Sequence, residues 1–150
     1  MAASYTALHY HIVFSVKERR PVLVPEIAHR THEYISGIIR TIGGVPIIVG
    51  GTADHVHVLA RLDKVLAISD ALRNIKAGSS KWIHETFPGM RDFAWQEGYG
   101  AFSVSISALN RTKRYIESQE AHHRTVTFEE EFMKFLTLHD IPYNERYLWK

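Results

Sequence analysis

Two histidines stand one residue apart in ADHVHVLARL (residues 53–62), and His55 and His57 are the first side chains in the chain that could do chemistry together. In an extended strand, residues two apart point the same way, with Cα atoms about 6.6–7 Å from each other. Two imidazoles so placed can converge on one cation at about 2.1 Å from each nitrogen. Val56 and Val58 then face a core, and a slip of one residue would exchange the faces, so the register is fixed. The same spacing also describes two polar residues on the wet face of an amphipathic strand. His9-Tyr10-His11 repeats it, so spacing alone does not choose.

A third ligand and a reactive group are offered by RTKRYIESQEAHHR (111–124). At helical spacing, Tyr115 and Gln119 share a face, and His122 extends it. Tyr115 is flanked by Arg111, Lys113 and Arg114 and lies off the apolar stripe of Leu109 and Ile116. It reads either as a nucleophile seeking phosphate or as an amphipathic tyrosine at the core margin. A phenol with a pKa near 10 attacks poorly at neutral pH. Attack on a phosphodiester becomes reasonable when a cation polarises the non-bridging oxygens. His55, His57 and the Gln119 carboxamide oxygen would make three ligands. Neutral hard oxygen suits Mg²⁺ or Mn²⁺ better than a structural zinc cage.

The elements that must position these groups follow from patterning. Residues 8–16 read as a strand from their β-branched and aromatic content. Helical spacing of Ile27, Tyr34, Ile35, Ile38, Ile39 and Ile42 begins at Pro25 and ends at Gly43-Gly44. Residues 45–51 and 55–62 read as strands joined by a turn at Thr52-Ala53-Asp54. Ser69-Asp70 is expected to cap a second helix, with Ala71, Leu72, Ile75, Trp82 and Ile83 as its stripe. A strand follows in AFSVS after Gly98-Tyr99-Gly100, then a third helix at about 107–123. Thr127 and Glu130 suggest a capping box for a helix carrying Phe132, Phe135 and Leu136. Strand, helix, strand, strand, helix, strand is the order of an α+β, ferredoxin-like or RRM-like antiparallel sheet with helices packed on one face, here with C-terminal helices added. The opposite face is expected to be open.

The chain has 150 residues, 45% hydrophobic and 23% charged, which fits one domain over 1–150. No cysteine is present, so disulfides and thiolate ligands are excluded. No run approaches the ~18–20 apolar residues of a membrane span. The opening MAASYTALHYHIVF is unlike a signal peptide, and a cytoplasmic setting is expected. A formal net charge of +2 permits a polyanion partner without demanding one. Basic residues gather at 17–20, at Arg73, Lys76 and Lys81, and at 111–114, while Glu129, Glu130 and Glu131 lie near the C-terminus.

Taken in order, HYHIVFSVKERRPVL, GGTADHVHVL, IKAGSSKWI, WQEGYGAFSVS, YIESQEAHH and FLTLHDIPYNERYLW resemble the single-tyrosine HUH transposases, which comprise insertion-sequence enzymes and REP-associated tyrosine transposases. The resemblance implies that His55 and His57 are the paired histidines, Gln119 the third metal ligand and Tyr115 the nucleophile. It implies cleavage of single-stranded, hairpin-bearing DNA through a 5′-phosphotyrosine with a free 3′-OH, by a homodimer, without ATP. Arg73, Lys76, Lys81, Arg111 and Arg114 then become candidate DNA contacts, and His122 an auxiliary ligand or acid/base group. Trp95 and Tyr99 offer stacking surfaces or fill the core margin. Two other readings are a catalytically idle single-stranded nucleic-acid-binding domain and a hydrolase using water as nucleophile.

Overall fold

The structure is a computed structural model and describes residues 2–149. Four strands, β1 (His9–Ser15), β2 (Val45–Gly51), β3 (His55–Arg61) and β4 (Gly100–Val104), form an antiparallel sheet in the order β2-β3-β1-β4. β1 lies at the centre, pairing Ser15 with His55, Val13 with His57 and His11 with Phe102. Two long helices, α1 (Pro25–Thr41) and α2 (Ile68–Thr86), connect the strands. This is the order that the alternation and helical periodicities predict.

Alternation in β1 and β3 divides the sheet into two faces. Ile12, Phe14, Val56, Val58 and Ala60 join Ile35, Ile39, Leu72, Ile75 and Ile83 of α1 and α2 in the main core. Trp95 belongs to this core: it packs edge-on against Phe14 and Phe93, each at 4.8 Å, and its Nε1–H donates to Ser79 Oγ at 2.9 Å. It therefore presents no stacking surface to a ligand. Tyr99 is partly exposed.

The second face is not open. Three C-terminal helices, α3 (Leu109–Glu117), α4 (Gln119–His122) and α5 (Phe128–Leu138), cover it, and α6 (Glu145–Leu148) follows. The cause is visible in α5, where Phe128, Phe132 and Leu136 recur every four residues and make one apolar row. That row packs with Val13 and Phe102 in a second core. Gly100 permits the approach, since a Cβ there would meet Phe132 at 2.7 Å.

Local signals explain most boundaries. Thr127 caps α5 as expected, its Oγ1 accepting from Glu130 N–H at 3.2 Å, while the Glu130 carboxylate reaches back to the Thr127 hydroxyl at 3.2 Å. Two expectations fail. Residues 107–123 are not one helix, because the path breaks at Ser118, whose hydroxyl donates to Tyr115 O at 3.1 Å. Ser69-Asp70 does not cap α2 either; the helix starts at Ile68 after Ala67 with no side-chain cap, and Asp70 pairs with Arg73 at 2.5 Å.

Candidate active site

β3 supplies the two histidines, and its flanks hold them. His55 Nδ1–H donates to Asp54 Oδ1 at 2.7 Å, and Thr52 Oγ1–H donates to the same carboxylate oxygen at 3.0 Å. The other ring nitrogen, Nε2, faces Gln119 Oε1 at 2.9 Å. The amide cannot face the other way without losing its own bond, because Gln119 Nε2 donates to Glu131 Oε2 at 3.2 Å. Gln119 Oε1 also lies 2.9 Å from His123 Nε2.

His57 is flanked by His11 on one side, Nδ1 to Nε2 at 2.7 Å, and by Glu131 Oε1 on the other at 3.0 Å. Burial lowers the pKa of His57 to about 4 and of His11 to about 3, so both rings are neutral at pH 7. Neutral imidazole is the form that binds metal.

Glu131 is the hub. Its carboxylate accepts from the Tyr115 hydroxyl and lies 3.4 Å from His122 Nε2 and 3.3 Å from His123 Nε2. Burial pulls its pKa upward, yet bonds from His123 and His57 outweigh that and hold it well below the usual carboxylate range. On Tyr115 burial is joined by Glu131 and outweighs the lowering bond from Gln119. Burial, the bond to Glu131 and the Glu131 charge all raise the phenol pKa, so the hydroxyl keeps its proton. His123, opposed by burial but favoured by the bond to Glu131, is raised.

The donor set fits a divalent cation. Cis ligands at about 2.1 Å from one ion stand roughly 3 Å apart. The spacings His55 Nε2–Gln119 Oε1 (2.9 Å), His57 Nε2–Glu131 Oε1 (3.0 Å) and His55 Nε2–Glu131 Oε1 (3.6 Å) cluster near that value. Ligand atoms from His55, His57, His123 and Glu131 all lie within 4.8 Å of one another.

The sequence-based candidates separate clearly. His55, His57, Gln119 and Tyr115 meet in one cluster, and His122 stands beside Tyr115 with 3.4 Å between Nε2 and the hydroxyl. Arg111 is exposed and lines a cavity at Tyr115. Arg114 and Lys81 are exposed, and Arg73 pairs with Asp70. Lys76 turns to the protein, donating to the carbonyls of Gln96 at 2.8 Å and Gly98 at 2.6 Å. Glu131, His123, Asp54 and His11 were not expected in the cluster. The His-His pair after YIESQ offered a signal for His123, and the second His-x-His one for His11. Glu131 had none, because only the folding of α5 back over the sheet brings it there.

The family described as "Transposase IS200 like" matches residues 4–119. The chain belongs to that family. Transposases of this type cut and rejoin DNA, and that is the enzymatic class of the chain. The ISDra2 transposase TnpA of Deinococcus radiodurans is 29% identical over 117 residues, covering 75% of this chain and 84% of that protein. Among solved structures, a putative transposase from D. radiodurans R1 aligns with a TM-score of 0.65 at 24% identity, over 79% of this chain and 96% of the other. A REP-associated tyrosine transposase bound to a REP hairpin aligns with a TM-score of 0.62 at 16% identity, over 84% and 74%. Both share the α+β fold. Among the described residues, no helix is long and apolar enough to cross a membrane.

Proposed function

We propose that this transposase nicks single-stranded DNA with Tyr115, forming a 5′-phosphotyrosine and a free 3′-OH, and that His55, His57 and Gln119 hold a Mg²⁺ or Mn²⁺ ion for the step. The observation that carries the reading is the sharing of one carboxylate: Glu131 bonds the Tyr115 hydroxyl through one oxygen and His57 through the other. Nucleophile and ligand set therefore occupy one centre. When bound, the ion supplies charge that polarises the non-bridging phosphate oxygens. The residues do the rest. Asp54 and His11 orient the two imidazoles and Gln119 presents its oxygen. As the Tyr115 oxygen attacks phosphorus, its proton passes to the Glu131 carboxylate that already accepts its hydrogen bond. The bond to the 3′ oxygen breaks, and that oxygen takes up the proton to leave as the free 3′-OH. The phosphotyrosine keeps the energy of the cut bond, so a 3′-OH can reverse the step without ATP.

His55 and His57 are fully buried, so the elements above them have to shift before a phosphate reaches the imidazoles. Tyr115 and Glu131, in contrast, line a cavity open to solvent. The substrate is proposed to be hairpin-bearing and the working form a homodimer in the cytoplasm. Light scattering reads the assembly state, and in this chain Tyr115 already lies beside its own histidines.

The test is incubation of labelled hairpin-bearing single-stranded DNA with Mg²⁺ or Mn²⁺, resolved on a denaturing gel. A slow covalent band is expected, lost in Tyr115→Phe and on EDTA treatment. His55→Ala should abolish cutting and largely spare binding. Nicked product without the band would instead indicate water as nucleophile, and binding indifferent to every change an idle domain.

A further inference from the structure

A cavity of about 490 Å³ opens beside the Tyr115 hydroxyl, between β4, α3 and α5. Its size falls within the ~300–1,000 Å³ typical of small-molecule sites. One wall is aromatic. Half-buried Phe135 and exposed His139 both stack on Phe102, with ring centroids at 5.4 Å and 4.6 Å and interplanar angles of 21° and 28°. His11 closes the inner end, edge-on to Phe135 at 5.1 Å. The lining also carries two exposed cations, Arg111 from α3 and Lys134 from α5. Among the described residues neither cation has an ion-pair partner within 4 Å.

Each feature matches one part of a nucleotide. An aromatic platform fixed by its own stacking offers a π-face to an unpaired base at little ordering cost. Two cations from different helices in the lining suit the phosphates that flank such a base. The hydroxyl of Tyr115 stands at the inner wall, where the intervening phosphate would have to lie. We infer that this cavity takes the unpaired base of a nucleotide adjoining the phosphate that Tyr115 attacks, with Phe135 and His139 as the stacking surface and Arg111 and Lys134 as backbone clamps. The inference rests on the reading of Tyr115 as the nucleophile. It makes Phe135 and His139 determinants of how the strand is held.

Two measurements test it. In fluorescence anisotropy with the full chain, a labelled dT8 strand should bind roughly 5- to 100-fold more tightly than an eight-unit abasic strand. Phe135→Ala should erase most of that difference, whereas Lys134→Ala should weaken both strands alike. Phe135 also packs in the second core, so a mapping experiment on the unaltered chain stands beside the variant. A dT8 strand carrying 4-thiothymidine, irradiated with the full chain, should crosslink within residues 134–139 or at Phe102. Equal binding of the two strands, or crosslinks confined to the α1 and α2 side, overturns the inference. A Tyr115 adduct on hairpin DNA with crosslinks elsewhere removes the base site alone. Base-dependent binding mapped to the cavity with no adduct on any DNA removes the nucleophile and leaves the site.

Discussion

Gly50 lies where α3 rests on β2, and Gly50→Ala tests how Tyr115 is positioned. A Cβ at Gly50 would stand 2.9 Å from Ile116 Cγ2 and 3.2 Å from Ile116 O. The first gap is about half an ångström short of ordinary contact. Rotating the Ile116 side chain is resisted, because Ile116 is fully buried, and the carbonyl belongs to the backbone. The remaining response is for α3 to lift by a few tenths of an ångström, and Tyr115 is the adjoining residue. Overpacking of this kind costs about 1–3 kcal/mol, which lowers the melting temperature of a 150-residue chain by roughly 2–10 °C. Since a misplacement of about 1 Å can cost ~10²-fold in rate, a shift of this size should slow adduct formation by about 3- to 10-fold. Single-turnover adduct kinetics and thermal melting of the same preparation read both quantities. Gly37→Ala serves as control: nothing lies within 4 Å of its added Cβ, so it should stabilise α1 by up to about 1 kcal/mol and leave cutting unchanged. If Gly50→Ala melts and cuts like the parent chain, α3 is not seated on β2 as described. If it melts early yet cuts normally, this contact does not set the position of the tyrosine.

Ser79→Ala should cost about 1–3 kcal/mol in chemical denaturation, because it strands the buried Trp95 Nε1–H that now donates at 2.9 Å; unchanged stability would remove Ser79 from that role. Acid should destabilise the metal-free chain in a defined window. His11, His32 and His57 are lowered by burial to about 3, 4 and 4, so between pH 6.5 and about 4 the unfolded chain binds protons that the folded chain refuses. Stability is therefore present above 6.5 and lost as pH falls, by up to about 1.4 kcal/mol per pH unit for each ring. A urea midpoint that holds steady from pH 7 to 4.5 would contradict the burial of these rings.

Much of the arrangement was readable before folding because it is encoded locally. Period-two alternation placed His55 and His57 opposite Val56 and Val58, and helical spacing grouped Tyr115 with Gln119. Gly43-Gly44 and the Thr127 capping box marked helix ends through backbone requirements that depend on few neighbours. What escaped depends on contacts between distant segments. Glu131 looks like the end of a solvated acidic run until the Phe128–Phe132–Leu136 row docks on the sheet and turns the residue inward. The break at Ser118 is equally hidden, since nothing in RYIESQEAHH forbids a continuous helix. Lys76 read as a phosphate contact because its charge is visible in sequence, whereas the three carbonyls that receive its ammonium come from residues 96–98.

The family match ends at residue 119, twelve positions before the carboxylate that clasps both the phenol and the imidazoles. His55, His57, Tyr115 and Gln119 all lie within the matched stretch, and the helices that follow supply the carboxylate they meet. Replacing residues 120–149 would therefore change what surrounds Tyr115 and His57 while leaving His55, His57, Tyr115 and Gln119 in the sequence.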